Sequence, residues 1–139
     1  MTKKMKRRSF VGTSLKGVAA AGVLAATACT EPDNKQFGQR FVHHVFFWLR
    51  EPVTDEIRNK FEDALKKLVT IDTIVESHLG IPAPTDREVI DASYTYSLLI
   101  TFKDKEAQDI YQEHPAHLRF IEECRDLWER VVVYDSVSI

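Results

Sequence analysis

Three observations predict an α+β fold of the ferredoxin-like kind. Short β-prone apolar runs occupy residues 41–49, 74–81, 93–102 and 131–134. Helix-period apolar stripes fill the gaps after the first run and after the third. The resulting order, β-α-β-β-α-β, is that of the split βαβ unit. A four-stranded antiparallel sheet with its helices on one face leaves the other face bare. Here that face would carry Val42, Phe46, Trp48 and Leu99, a patch large enough to call for a partner. Two such sheets packed face to face give a two-fold dimeric α/β barrel. The other way to cover the face is with a loop of the same chain.

Each element has its own warrant. Phe41 to Leu49 is too short for a typical helix, and alternation puts His43, Val45, Phe47 and Leu49 on one face and Val42, His44, Phe46 and Trp48 on the other. Both faces are apolar, so both are expected to be covered. Thr54 is a helix N-cap with Asp55 and Glu56 in the first turn, where the dipole favours acid. Ile57, Phe61, Ala64, Leu65 and Leu68 follow as one inward stripe. Ile74 to Ile81 reads as a strand, ended by Gly80 and the Pro82-Ala83-Pro84 turn, and the polar stretch to Ala92 reads as a loop. Ser93 to Phe102 alternates cleanly. A helix after Asp104 turns Ala107, Ile110 and Tyr111 inward until His114-Pro115 interrupts it. Proline suits a helix's first position, so a second helix starts at Pro115 and carries Leu118, Ile121 and Leu127 inward. The segment Trp128 to Val137 contains the last strand, Val131-Val132-Val133-Tyr134.

The first 28 residues read as an address. They hold six of the chain's 19 Lys and Arg and none of its 21 Asp and Glu, so the remainder carries an excess of eight acids. A body that acidic argues against nucleic acid as a partner, because phosphate binding depends on Lys and Arg displacing counterions. The basic run Lys3 to Arg8 and the apolar run Val18 to Ala28 form a signal peptide; eleven residues fall short of the roughly 20 needed to span a bilayer. Arg7-Arg8-Ser9-Phe10-Val11 resembles the twin-arginine export motif, and Ala26-Thr27-Ala28-Cys29 resembles a bacterial lipobox with Cys29 as the lipidated residue. The expected organisation is a signal peptide over 1–28, a tether over 29–39 and a folded domain over 40–137. The protein is then exported and held at the cell envelope through Cys29, its sole membrane attachment.

Within the domain, the stretch Tyr111-Gln112-Glu113-His114-Pro115-Ala116-His117 gathers a phenol and two imidazoles around a proline. Together with His43-His44-Val45-Phe46-Phe47-Trp48-Leu49-Arg50, Thr101-Phe102-Lys103-Asp104 and Val133-Tyr134-Asp135, it resembles the stress-responsive A/B barrel (Dabb) domain. The resemblance runs from about Arg40 to Val137, and Tyr-x-x-His-Pro-x-His is its most specific part. It implies a dimeric α+β barrel. The family includes stress-induced plant proteins and a polyketide cyclase in which a tyrosine and a histidine do the acid–base work. By position in the motif these match Tyr111 and His117. The cyclase's pocket residues match His43, Val45 and Phe47, then Leu98 and Ile100, then Trp128. Phe61, Tyr96 and His114 complete the expected pocket, with Tyr96 standing where the cyclase has a histidine.

The cluster admits two readings. In the chemical one, His117 accepts a proton near neutral pH and Tyr111 donates a hydrogen bond to a developing oxyanion, which suits enolisation, aldol-type closure or isomerisation of a carbonyl compound. In the structural one, His114 caps the second helix, His117 bonds a nearby backbone group and Tyr111 fills core. No His-Glu-x-x-His spacing or glycine-rich phosphate loop occurs, so neither a metal nor a cofactor is expected. Cys124, among Glu122, Glu123 and Asp126, is a poor nucleophile. Two function classes follow: a homodimeric module that binds a small apolar or aromatic carbonyl compound, or a cyclase- or isomerase-type enzyme that uses Tyr111 and His117 as an acid–base pair.

Overall fold

A computed structural model describes residues 38–139. The signal peptide, Cys29 and nearly all of the tether lie outside the described residues. The elements are β1 (Phe41–Leu49), α1 (Asp55–Leu68), β2 (Ile74–Gly80), β3 (Tyr96–Phe102), α2 (Lys105–Glu113), α3 (Pro115–Cys124) and β4 (Trp128–Val137). They build one antiparallel sheet in the order β2-β3-β1-β4, which is the ferredoxin-like α+β topology. No helix among the described residues is long and apolar enough to cross a membrane.

Local chemistry starts and stops the helices as the sequence implies. The Thr54 hydroxyl accepts from the Ile57 N–H at 3.3 Å and opens α1, whose Phe61, Leu65 and Leu68 are buried. The Asp104 carboxylate accepts from the Ala107 N–H at 2.9 Å and opens α2. His114 closes α2 in an extended conformation and, with Pro115 following, becomes the N-cap of α3.

The helix faces differ in part from expectation. In α2 the buried residues are Gln108 and Tyr111, while Ile110 is 52% exposed. In α3 they are Phe120 and Cys124, whereas Leu118 and Ile121, expected inside, are 55% and 37% exposed. The break at His114 resets the helical phase. Counted from Pro115, the inward row is Ala116, Phe120 and Cys124, spaced four apart, and Leu118 and Ile121 fall on its flanks. The third strand begins at Tyr96 and not at Ser93. The preceding residues bond instead to the end of β1: Thr95 donates its N–H to the Phe47 carbonyl at 2.7 Å and accepts from the Leu49 N–H through its hydroxyl at 3.0 Å. The last strand is longer than expected and starts at Trp128.

The core lies between the sheet and its helices. Phe47, Phe61, Phe120 and Trp128 pack as one aromatic group, with ring centroids 5.1 Å apart for Phe47–Phe61 and 5.8 Å for Phe120–Trp128. Burying each such ring is worth about 1.5–3 kcal/mol. On the opposite sheet face, Val42, His44, Phe46 and Trp48 are half-buried with no helix over them. The loop before β3 covers one corner: the Tyr94 ring meets Phe46 at 4.9 Å, and the Trp48 indole N–H donates to the Ser93 hydroxyl at 3.0 Å. The Arg130 guanidinium stacks 4.2 Å over the Trp48 ring.

Candidate functional site

A cavity of about 190 Å³ opens between the inner sheet face and the helices. Alternation along β1 turns His43, Val45 and Phe47 into it, and Leu98 joins them from β3. Val131 and Val133 supply the wall from edge strand β4, and Leu68 contributes from the end of α1. Tyr111 and Gln112 come from α2, His117, Phe120 and Ile121 from α3, and Trp128 from the start of β4. The helix break at His114-Pro115 is what allows Tyr111 and His117, six residues apart, to face one space.

Seven of the residues expected at the site line this cavity: Tyr111, His117, His43, Val45, Phe47, Leu98 and Trp128. Four do not. Phe61 and Ile100 are sealed in the core at 0% exposure, because their faces of α1 and β3 are fully packed. Tyr96 borders a different groove beside α1 and the end of β2, where its hydroxyl donates to the Glu62 carboxylate at 2.8 Å. The His114 ring turns back on its own helix, and Nδ1 accepts from the Ala116 N–H at 3.1 Å.

The polar groups differ in what they can do. His117 Nδ1 lies 3.0 Å from the Gln112 carbonyl oxygen. A carbonyl only accepts, so Nδ1 carries the hydrogen and Nε2 holds the lone pair. Burial lowers the His117 pKa and outweighs the opposing backbone bond, which favours the neutral ring, a base, at physiological pH. Tyr111 is 1% exposed, and burial alone pushes its phenol far above the usual tyrosine range. It therefore stays protonated and is a donor. Its ring lies 4.5 Å from His117 and 6.0 Å from His43, centroid to centroid.

One polar partner escaped the sequence reading. Asp135 Oδ1 accepts from His43 Nδ1 at 2.6 Å, because β1 and β4 pair His43 directly with Asp135. The signal was present in phase, since Asp135 continues the Val131, Val133 alternation. The strand register needed to match it with His43 is a tertiary property. Val131 and Val133 were missed for the same reason, and Leu68, Gln112, Phe120 and Ile121 because the docking of the helices on the sheet is likewise a tertiary property. Cys124 is fully buried, and burial raises its thiol pKa, which keeps it protonated. Among the described residues, no group of three or more His, Cys, Asp or Glu is placed to hold a metal ion.

The topology and this cavity define a small α+β domain with one acid–base-capable pocket. The chain belongs to the stress responsive A/B barrel domain (Dabb) family, whose model matches residues 41–138. Among solved structures, it is similar to a Dabb family protein with a ferredoxin-like fold from Mesorhizobium loti, at 23% identity and a TM-score of 0.61 over 73% of this chain and 98% of that one. A dimeric ferredoxin-like protein of unknown function from Jannaschia sp. CCS1 is 28% identical, with a TM-score of 0.53 over 70% and 97% of the two chains. A hydroxynitrile lyase from Passiflora edulis shares the fold at 19% identity, with a TM-score of 0.61 over 73% and 94%. No curated protein matches the chain.

Proposed function

We propose that this is an exported, lipid-anchored Dabb-domain protein that works as a homodimer and binds a small apolar or aromatic carbonyl compound in the cavity between sheet and helices. The observation that carries the reading is the convergence of a protonated phenol, Tyr111, and a neutral imidazole, His117, on a space whose walls, apart from His43 and Gln112, are apolar, Val45, Phe47, Phe120 and Trp128 among them. Such a site offers a hydrogen bond to a carbonyl oxygen and apolar walls to the rest of the molecule. A dry cavity of about 150 Å³ holds a benzene ring. The space here, about 190 Å³, suits one ring with a short substituent. Export and anchoring rest on the basic-apolar leader, the Arg7-Arg8 pair and Cys29. Self-association is supported by the bare sheet face and by the dimeric relative from Jannaschia.

A second reading, an enzyme acting on the same ligand, is favoured by the His43–Asp135 pair at 2.6 Å. A carboxylate bonded to Nδ1–H orients the ring and stabilises an imidazolium as it forms, which is the role of the carboxylate in hydrolase triads. His117 would then take a proton and later return the same proton, Tyr111 would hold the oxyanion, and the Asp135-oriented His43 would face the ligand from the sheet. The hydroxynitrile lyase shows that a protein of this fold can be an enzyme.

Thermal shift and turnover across a panel of aromatic and aliphatic aldehydes and ketones test both readings on wild type, His117→Ala and Tyr111→Phe. Binding without turnover in every case supports the module. Turnover lost on substitution with binding retained supports the enzyme. No shift and no turnover anywhere refutes both. Mass spectrometry of the mature N-terminus tests the address, and cleavage away from Cys29 ends the lipoprotein reading.

A further inference from the structure

The bare face of the sheet carries two imidazoles that the cavity does not use. The register sets His78 (β2), Leu99 (β3), His44 (β1) and Tyr134 (β4) in one row across it. The row below is Gly80, Ser97, Phe46 and Val132, and the row above is Glu76, Thr101, Val42 and Ser136. The centre is thus apolar and aromatic, with Phe46 lying between Tyr94 and Tyr134 and against the His44 ring at 4.2 Å. A second copy of the chain is the occupant this face fits, and any role for its imidazoles in association rests on the homodimer of the proposed function.

We propose that His44 and His78 make self-association through this face acid-sensitive: the two copies join while the imidazoles are neutral and separate as the imidazoles gain protons. His44 is at the middle of the face, on a central strand, where a second sheet would remove it from water. Burial, then His78, then His43 behind the sheet already hold its pKa below the ordinary histidine value in the single chain. Closing a second copy over it adds burial and brings a second His44–His78 pair close, and both disfavour the charged form. The charge on the face does little to offset this. β3 contributes only Ser97, Leu99 and Thr101. β4 contributes Tyr134 and, at the Trp48 corner, Arg130, which adds positive charge. The loop before β3 contributes Tyr94 and Asp91, and that carboxylate is at the Arg130 corner. Glu76 lies one row from His78 on β2, whereas the row that holds His44 has no carboxylate, so His44 carries most of the effect.

The sign comes from linkage. A base whose pKa is lower in the complex than in the free chain favours the complex above the free-chain pKa and opposes it as pH falls through that value. The window therefore opens below about pH 6.5, before carboxylates titrate. Each copy contributes one His44, so the effects of the two sites multiply in the dissociation constant.

Sedimentation equilibrium on the purified chain at about pH 7.5 and about pH 5, with circular dichroism to confirm the fold at both, tests this. The expected result is a dimer at the higher pH and a dissociation constant several-fold larger at the lower one. In the double variant His44→Leu/His78→Gln the same step changes it less than about threefold. A monomer at both values refutes the homodimer reading itself. A wild-type dimer whose constant stays flat across the step overturns the pH-sensing inference alone. A full pH effect retained in the double variant overturns its assignment to these two residues.

Discussion

Removing one oxygen atom from Tyr111 should make the protein more stable and less functional at once. The ring of Tyr111 is 1% exposed and packs against Phe102 at 5.1 Å and His117 at 4.5 Å, contacts that phenylalanine preserves. Burial alone raises the pKa of the hydroxyl, with no hydrogen-bond partner contributing. A buried polar group without a partner costs about 1–3 kcal/mol. The hydroxyl borders the cavity and keeps part of its hydration there, so Tyr111→Phe should gain at most about 1 kcal/mol. For a domain of about 100 residues that is a rise of at most about 4–8 °C in Tm. If the enzyme reading holds, loss of this donor should meanwhile cost about 10²–10³ in turnover; if the binding reading holds, the thermal shift by a carbonyl ligand should shrink. Differential scanning calorimetry and the ligand panel read the two effects separately. A variant that melts several degrees lower would mean that the hydroxyl holds the fold together, and the case for Tyr111 as a ligand donor would fail.

Other substitutions separate scaffold from site. His114→Ala should lose the cap on α3 and cost about 0.5–2 kcal/mol in urea denaturation, while ligand-induced thermal shift is unchanged. Phe61→Ala, at 0% exposure within the aromatic group, should cost about 3–5 kcal/mol and show as a lower denaturation midpoint. Because burial lowers the His117 pKa, its basic form is already present at neutral pH; any turnover should be flat above about pH 6.5 and fall only in more acid solution, and a rise continuing into the alkaline range would exclude His117 as the base.

The sequence spoke most clearly where the chemistry is local. Caps at Thr54, Asp104 and His114, the proline at the start of α3 and the two-residue alternation of β1 and β3 each depend on neighbours within a few positions. Those elements came out with their ends nearly right. The site was legible where the family resemblance and alternation agreed, as for His43, Val45, Phe47 and Leu98: the resemblance implied the pocket and alternation put the side chains on its face of the sheet. It was not legible where a helix phase had to be counted across a break: Leu118 was placed inside and Phe120 was overlooked. Nor did residue type separate a pocket wall from sealed core. Phe61 and Ile100 carry the same apolar signature as Phe47 and Leu98, and only three-dimensional packing leaves a void beside one pair and none beside the other. The His43–Asp135 pair joins residues 92 positions apart, and no local pattern announces it.

The same pair bears on how the chain finds its fold. A strand with one greasy face and one wet face has its pairing chosen for it, because sliding by a residue puts the wrong side in water. β1 is apolar and aromatic on both faces, so a one-step slip against β4 would trade Val45 and Phe47 for His44 and Phe46 with little hydrophobic cost. What a slip would forfeit is the meeting of His43 with Asp135, and the bulge between Trp48 and Leu49 would be misplaced as well. The Asp135 carboxylate that accepts from His43 thus doubles as an alignment key for assembling the sheet. Asp135 variants should accumulate off-register, aggregation-prone chains during refolding even where the folded protein tolerates the change.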